Sequence, residues 1–177
     1  MNGTALLLVD LQRNMFESDP AVADGLELLA VVAQLAARAR AAGVPVVWVR
    51  NCGGPDDPDA KGTPGWELTS AVPRLAAEPV VDKSAGNAFE GTNLRTLLAA
   101  RGVRSLVVAG LQSEFCIAAT CRGALALGYA VTVAADAVGT FDTPGGAPAR
   151  EVVARENAEL AAAGVAILPL SSSISFA

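Results

Sequence analysis

The chain has 177 residues, 52% of them hydrophobic and 18% charged, with a net charge of -5 and no histidine. That length and balance describe one globular domain over residues 1–177 rather than a disordered or fibrous chain. The acidic balance, with no Lys/Arg cluster interleaved with aromatics, excludes a nucleic-acid footprint, and the missing histidine removes Ser-His-Asp and Cys-His nucleophiles, His-rich zinc sites and a histidine general base together.

Residues 5–9 form a continuous apolar run, a buried strand with Asp10 at its end. The Ala/Leu/Val-rich stretch from about 21 to 42 has helical character and stops at Gly43, a natural C-cap. Residues 44–49, short and rich in valine, predict a second strand. Residues 50–79 change character: Gly53, Gly54, Pro55, Pro58, Gly62, Pro64 and Gly65 break any period, and loops this long in compact domains are often functional. A short third strand at 79–82 ends at Lys83, and a helix capped by Thr92 or Asn93 runs to about 100 and stops at Gly102. Then come a strand at 105–109, a helix at 115–127, a strand at 131–135, a helix at 148–163 and a strand at 165–168. Six apolar strands alternating with helical crossovers predict an α/β fold. It is a three-layer α/β/α sandwich, doubly wound and Rossmann-like, around a central, mostly parallel six-stranded sheet.

Ligands of such sheets bind beyond the carboxyl ends of the strands, where Asp10, Lys83 and Cys116 all fall. Placed in the first turn of its helix, Cys116 would have its thiolate favoured by unpaired N–H groups, with Lys83 adding to that effect and Asp10 accepting the thiol proton. Singly these residues say little, since a cysteine in an apolar helix is most often a core residue and Asp10 and Lys83 could be ordinary turn and loop residues. Together they are the three types that nucleophilic acyl transfer needs. Cys121, about 140° further round the helix, is read as core, and Cys52 as either a reactive surface thiol or a bystander. The acidic run around Asp56, Asp57 and Asp59 lacks the pattern of a calcium loop and is read as solvated. Phe16, Trp66, Phe89 and Phe141 lie in strand-to-helix connections, where aromatics line a pocket or cover a sheet edge. Three cysteines make no disulfide framework, no run approaches the ~20 apolar residues of a membrane span, and no basic leader precedes the first strand. A reduced, cytoplasmic protein is expected, acting on a small molecule, without nucleic-acid or membrane partners. The sequon Asn2-Gly3-Thr4 carries little weight in that setting.

The chain resembles the isochorismatase-like cysteine hydrolases, the group that includes nicotinamidases and N-carbamoylsarcosine amidase. The resemblance rests on Leu7-Leu8-Val9-Asp10-Leu11-Gln12 with Phe16, on Val80-Val81-Asp82-Lys83 with Ala88-Phe89-Glu90-Gly91-Thr92-Asn93-Leu94, and on Gly110-Leu111-Gln112-Ser113-Glu114-Phe115-Cys116. It continues through residues 120–129 and Asp136-Ala137 with Thr140-Phe141-Asp142. It implies Cys116 as nucleophile, Asp10 as general base and then acid, and Lys83 as the group that orients Asp10 and stabilises the thiolate. It further implies a cis peptide at Leu111-Gln112 and an oxyanion hole from the backbone N–H groups of Gln112 and Cys116. Phe16, Trp66, Leu111 and Gln112 are the expected substrate contacts. Retention of Cys116 favours hydrolysis of an amide, ureido or lactam carbon–nitrogen bond through a thioester. The alternatives are a vinyl ether hydrolase, which in this group works without the cysteine, and a non-catalytic binding or thiol-sensing protein. The Asp/His metal of nicotinamidases has no histidine to hold it here, so no metal and no cofactor is expected. Where relatives often place histidines, this chain reads Arg50-Asn51 and Arg155-Glu156-Asn157. A homo-oligomer, dimer or tetramer, is also implied.

Overall fold

The computed structural model describes residues 3–143 and 145–176, so Asn2 of the sequon lies outside the described residues. In chain order the elements are β1 (Thr4–Val9), α1 (Arg13–Glu17), α2 (Gly25–Ala41), β2 (Val46–Asn51), β3 (Val80–Lys83), α3 (Leu94–Ala99) and β4 (Ser105–Gly110). They are followed by α4 (Ala118–Ala126), β5 (Ala130–Val138), α5 (Ala149–Ala162) and β6 (Ala166–Leu168). The six strands make one sheet in the order β3-β2-β1-β4-β5-β6, and every pair is parallel. The chain winds outward from β1 through β2 to β3, then returns to lay β4 beside β1 and winds the other way. The order therefore reverses between β1 and β4, and a crevice opens at the carboxyl ends of those two central strands.

Alternation along the strands feeds two cores. Leu6 and Leu8 face α2 through Leu28, Val32, Leu35 and Ala36, whereas Leu7 and Val9 face α3, α4 and α5 through Leu94, Leu98, Cys121, Ala124 and Leu160. Each of these large side chains contributes about 1.5–3 kcal/mol by leaving water. Cys121 is fully buried in the second core, as expected, and burial pushes its thiol up to about 12. Trp48 is fully buried too, and its indole Nε1 donates to Glu78 Oε2 at 2.8 Å. Arg40 and the Leu75 N–H also bond Glu78, so the long segment after β2 is tied back to the sheet by a satisfied carboxylate.

Three local departures from the sequence reading have steric or hydrogen-bonding causes. The helix expected from residue 21 begins at Gly25, because Asp24 before it is left-handed at φ 52°. A Cβ at Gly25 would stand 2.9 Å from Val22 and 3.1 Å from Phe16, so the small residue lets Phe16 pack there. The helix expected over 115–127 opens instead with a π-turn at Ser113–Ile117, in which the Ile117 N–H reaches the Gln112 carbonyl at 3.1 Å. β5 runs on to Val138, because between its pairings with Val108 and Gly110 the strand advances five residues while β4 advances two. Thr92, one of the two expected caps, accepts the Leu94 N–H at 3.2 Å through its hydroxyl.

Candidate active site

Asp10, the first residue past β1, is left-handed at φ 52° and its N–H donates to the Val49 carbonyl at 2.9 Å. Asp is among the few non-glycine residues that tolerate this conformation. Lys83 closes β3, two strands away, and spans that distance with its extended side chain. Its Nζ lies 3.0 Å from Asp10 Oδ2 and 3.1 Å from Cys116 Sγ, with both charged side chains essentially buried at 0% and 1% exposure. The Asp10 contact is an ion pair rather than an aligned hydrogen bond, and both Asp10 carboxylate oxygens are buried without a hydrogen-bond partner. Cys116 is the fourth residue of the π-turn, half-buried, beside the exposed ring of Phe115.

The approach of β4 to β1 requires glycine at 110. Its φ is +121°, and a Cβ there would meet the Val9 carbonyl oxygen at 2.1 Å. The next peptide, Leu111-Gln112, is cis. Gln112 then receives both the Phe115 and the Ile117 N–H on its carbonyl, at 3.2 and 3.1 Å, which shapes the loop carrying the nucleophile candidate.

Burial raises the pKa of Asp10, with the Lys83 ammonium opposing it. Burial also works against the charge of Lys83, but the Asp10 carboxylate and Cys116 outweigh it and hold that pKa above its ordinary value. Burial and then the Asp10 charge push Cys116 up to about 11, against the pull of Lys83. These effects act against the thiolate that the helix start and Lys83 would favour. Burial and the Asp10 charge favour the thiol form of Cys116, and the Lys83 ammonium opposes them.

Three residues to which the sequence assigned no role at the site complete the surroundings. Asn51 stands opposite Lys83 in the β2–β3 register, and Lys83 Nζ donates to its Oδ1 at 3.1 Å. Asn51 Nδ2 in turn donates to Asp59 Oδ2 at 2.7 Å. Asp59 is buried, which corrects the solvated reading for that residue, while Asp56 and Asp57 are exposed. Gln12 is fully buried; its Oε1 accepts the Asn51 N–H at 2.8 Å, and its Nε2 donates to the carbonyls of Asn51 and Trp66 at 3.0 and 3.2 Å. The signals available beforehand were that Gln12 belongs to the first resemblance motif, just past a strand end, and that Asn51 falls at the end of the second strand.

The expected substrate contacts separate. Leu111 is fully buried in the first core and Phe16 packs at its margin, bordering a cavity of about 120 Å³ with Ala21, Val22, Gly25 and Leu26. Trp66 lies beneath the Arg50 guanidinium, 3.3 Å from ring centroid to carbon, and its Nε1 donates to Cys52 Sγ at 3.2 Å. Phe89 stacks on Tyr129 with centroids 5.7 Å apart, and Phe141 packs on the first core. Gln112, in the loop that leads to Cys116, is partly accessible, as are Phe16 and Trp66.

Cys116, Asp10 and Lys83 thus gather where the strand order of an all-parallel α/β sheet reverses, and known proteins share this fold. The isochorismatase domain pattern matches residues 4–163, and the chain belongs to the isochorismatase family. It is 44% identical over 140 residues to a streptothricin hydrolase of Streptomyces noursei, covering 79% of this chain and 51% of that one. It is 30% identical over 171 residues to a ureidoacrylate amidohydrolase of Methylorubrum extorquens, covering 76% and 68%. The chain thus spans about half the length of the curated streptothricin hydrolases it matches. The solved N-carbamoylsarcosine amidase of Thermoplasma acidophilum superposes with a TM-score of 0.83 at 26% identity, over 97% of this chain and 98% of that one.

Proposed function

We propose that the protein hydrolyses a carbon–nitrogen bond of a small molecule, of amide, ureido or lactam type, through a thioester on Cys116. The observation that carries the proposal is the single Lys83 ammonium standing 3.0 Å from Asp10 Oδ2 and 3.1 Å from Cys116 Sγ. Asp10 takes the Cys116 proton, and the thiolate attacks the substrate carbonyl. The backbone N–H groups of Gln112 and Cys116 hold the resulting oxyanion. Asp10 returns the proton to the leaving nitrogen, then draws one from a water that cleaves the thioester. Lys83 keeps one buried positive charge beside whichever partner is anionic. The names of the relatives, a streptothricin hydrolase, a ureidoacrylate amidohydrolase and an N-carbamoylsarcosine amidase, favour this bond class over a vinyl ether.

The test is a panel of small amides, ureido acids and lactams, including streptothricin, ureidoacrylate and N-carbamoylsarcosine, given to wild type and Cys116→Ala side by side. Turnover by the wild type, its absence in the variant, and a thioester mass adduct in quenched reactions are expected. Turnover of these substrates that survives loss of Cys116 removes the thioester route.

A further inference from the structure

An ammonium has three N–H donors. On Lys83 one donates to Cys116 Sγ and one to Asn51 Oδ1, each at 3.1 Å, while the ammonium as a whole stands 3.0 Å from Asp10 Oδ2 as an ion pair. The orientation of that carboxamide is fixed from both ends. Reversed, it would set its NH₂ against the ammonium and its oxygen against Asp59, exchanging two attractions for two repulsions. As it stands, Nδ2 donates to the buried Asp59 carboxylate at 2.7 Å, and the Asn51 backbone is clamped by Gln12 in both directions. Charge on Asp59 polarises the amide and makes Oδ1 a stronger acceptor for Lys83. Asp59 itself is in place because Gly53 makes room: a Cβ there would fall 2.2 Å from Asp59 Oδ1. A flexible four-carbon side chain is thereby held at three points.

We propose that Asn51, braced by Asp59, is the positioning residue for Lys83, holding one N–H so that the ammonium stays between Asp10 and Cys116. The inference rests on the Cys116 mechanism for its effect on turnover only. Alkylation of Cys116 reads the placement of Lys83 whether or not Cys116 is the nucleophile, so the two fail separately.

The experiment follows iodoacetamide alkylation of the Cys116 peptide by mass spectrometry from pH 6 to 10, with folding checked by circular dichroism. In Asn51→Ala the released ammonium stabilises the Cys116 thiolate less, so the profile moves to higher pH. The rate at pH 8 should fall about ten-fold, the equivalent of one pKa unit, and kcat should fall with KM little changed. Asp59→Ala should move the profile the same way by a smaller amount. Simple loss of a nearby negative charge would move it the opposite way, so a shift to lower pH in that variant overturns the bracing role. A folded Asn51→Ala with the wild-type profile overturns the proposal. Should Asn51→Ala fail to fold, Asn51→Leu, which keeps the side-chain volume, is read by the same criterion.

Discussion

Lys83→Met keeps the aliphatic stem of a fully buried side chain and deletes only its ammonium, leaving the Asp10 carboxylate without its countercharge. The Lys83–Asp10 pair is 3.0 Å apart with exposures of 0% and 1%, so almost no water can replace the lost partner. Breaking a buried pair from one side costs about 3–5 kcal/mol. That penalty applies only while Asp10 is ionised. Burial already raises the Asp10 pKa with Lys83 present, and removing the opposing ammonium raises it further. A folded-state pKa above the unfolded one means that the folded protein binds the extra proton. Stability is then highest below the unfolded carboxylate value and is lost as pH rises through the folded one. Below that point the acid is neutral and the penalty shrinks to that of an underbonded polar group, about 1–3 kcal/mol. Urea unfolding at pH 5 and pH 8 should therefore show the variant losing more stability at pH 8, by roughly 2 kcal/mol, the difference between those two penalties. Asp10→Asn should do the reverse: an uncompensated Lys83 has a depressed pKa, so that variant gains stability as pH rises. Equal penalties at both pH values in both variants would refute the burial and coupling of this pair.

Gly110→Ala should destabilise by about 3 kcal/mol or more, because the φ of +121° is costly for alanine and the added Cβ meets the Val9 carbonyl oxygen at 2.1 Å. A melting temperature equal to wild type would contradict the β1–β4 geometry. Glu78→Gln should cost about 1–3 kcal/mol in chemical denaturation, since the carboxylate accepts from Arg40, Trp48 and Leu75. Burial alone would raise the Glu78 pKa, but those donors lower it below the ordinary 4.5. Its stabilisation is thus present above the unfolded pKa and lost as pH falls through the folded one, so the variant should show a flatter acid limb.

The periodic elements were legible because their apolar patterns are unambiguous: residues 5–9 and 105–109 lie within β1 and β4, and the glycines after the helices stop them close to where expected. Asp10, Lys83 and Cys116 were legible because each ends or follows such a run. The π-turn was not, since a helix that closes one residue wide uses the same composition as one that does not. The burial of Leu111 was not legible for a related reason: a residue in the loop leading to Cys116 turns its side chain into the core beside Gly139 and Leu28. The link of Asn51 and Asp59 to Lys83 was not legible for a different reason. They act eight residues apart across a Gly/Pro-rich loop, and nothing in their spacing announces that a buried amide links one to Lys83.

The missing histidine bears on how the proposed proton transfer is accommodated. An imidazole base would start neutral and end charged, so the site would gain an ion pair on going from thiol to thiolate. With a carboxylate base the pair exists at the outset. Moving the proton from Cys116 to Asp10 transfers one negative charge from oxygen to sulfur, and both atoms stand at nearly the same distance, 3.0 and 3.1 Å, from one ammonium. Neither arrangement leaves a buried charge unpaired, which is the condition that would otherwise cost several kcal/mol. A thiol pushed up to about 11 can then serve as a nucleophile precursor, because what must be met is the difference between two states of one neutralised cluster rather than the cost of a free thiolate. That difference is sensitive to where the Lys83 nitrogen sits between the two acceptors, and a side chain with four rotatable carbons would not keep that position unaided.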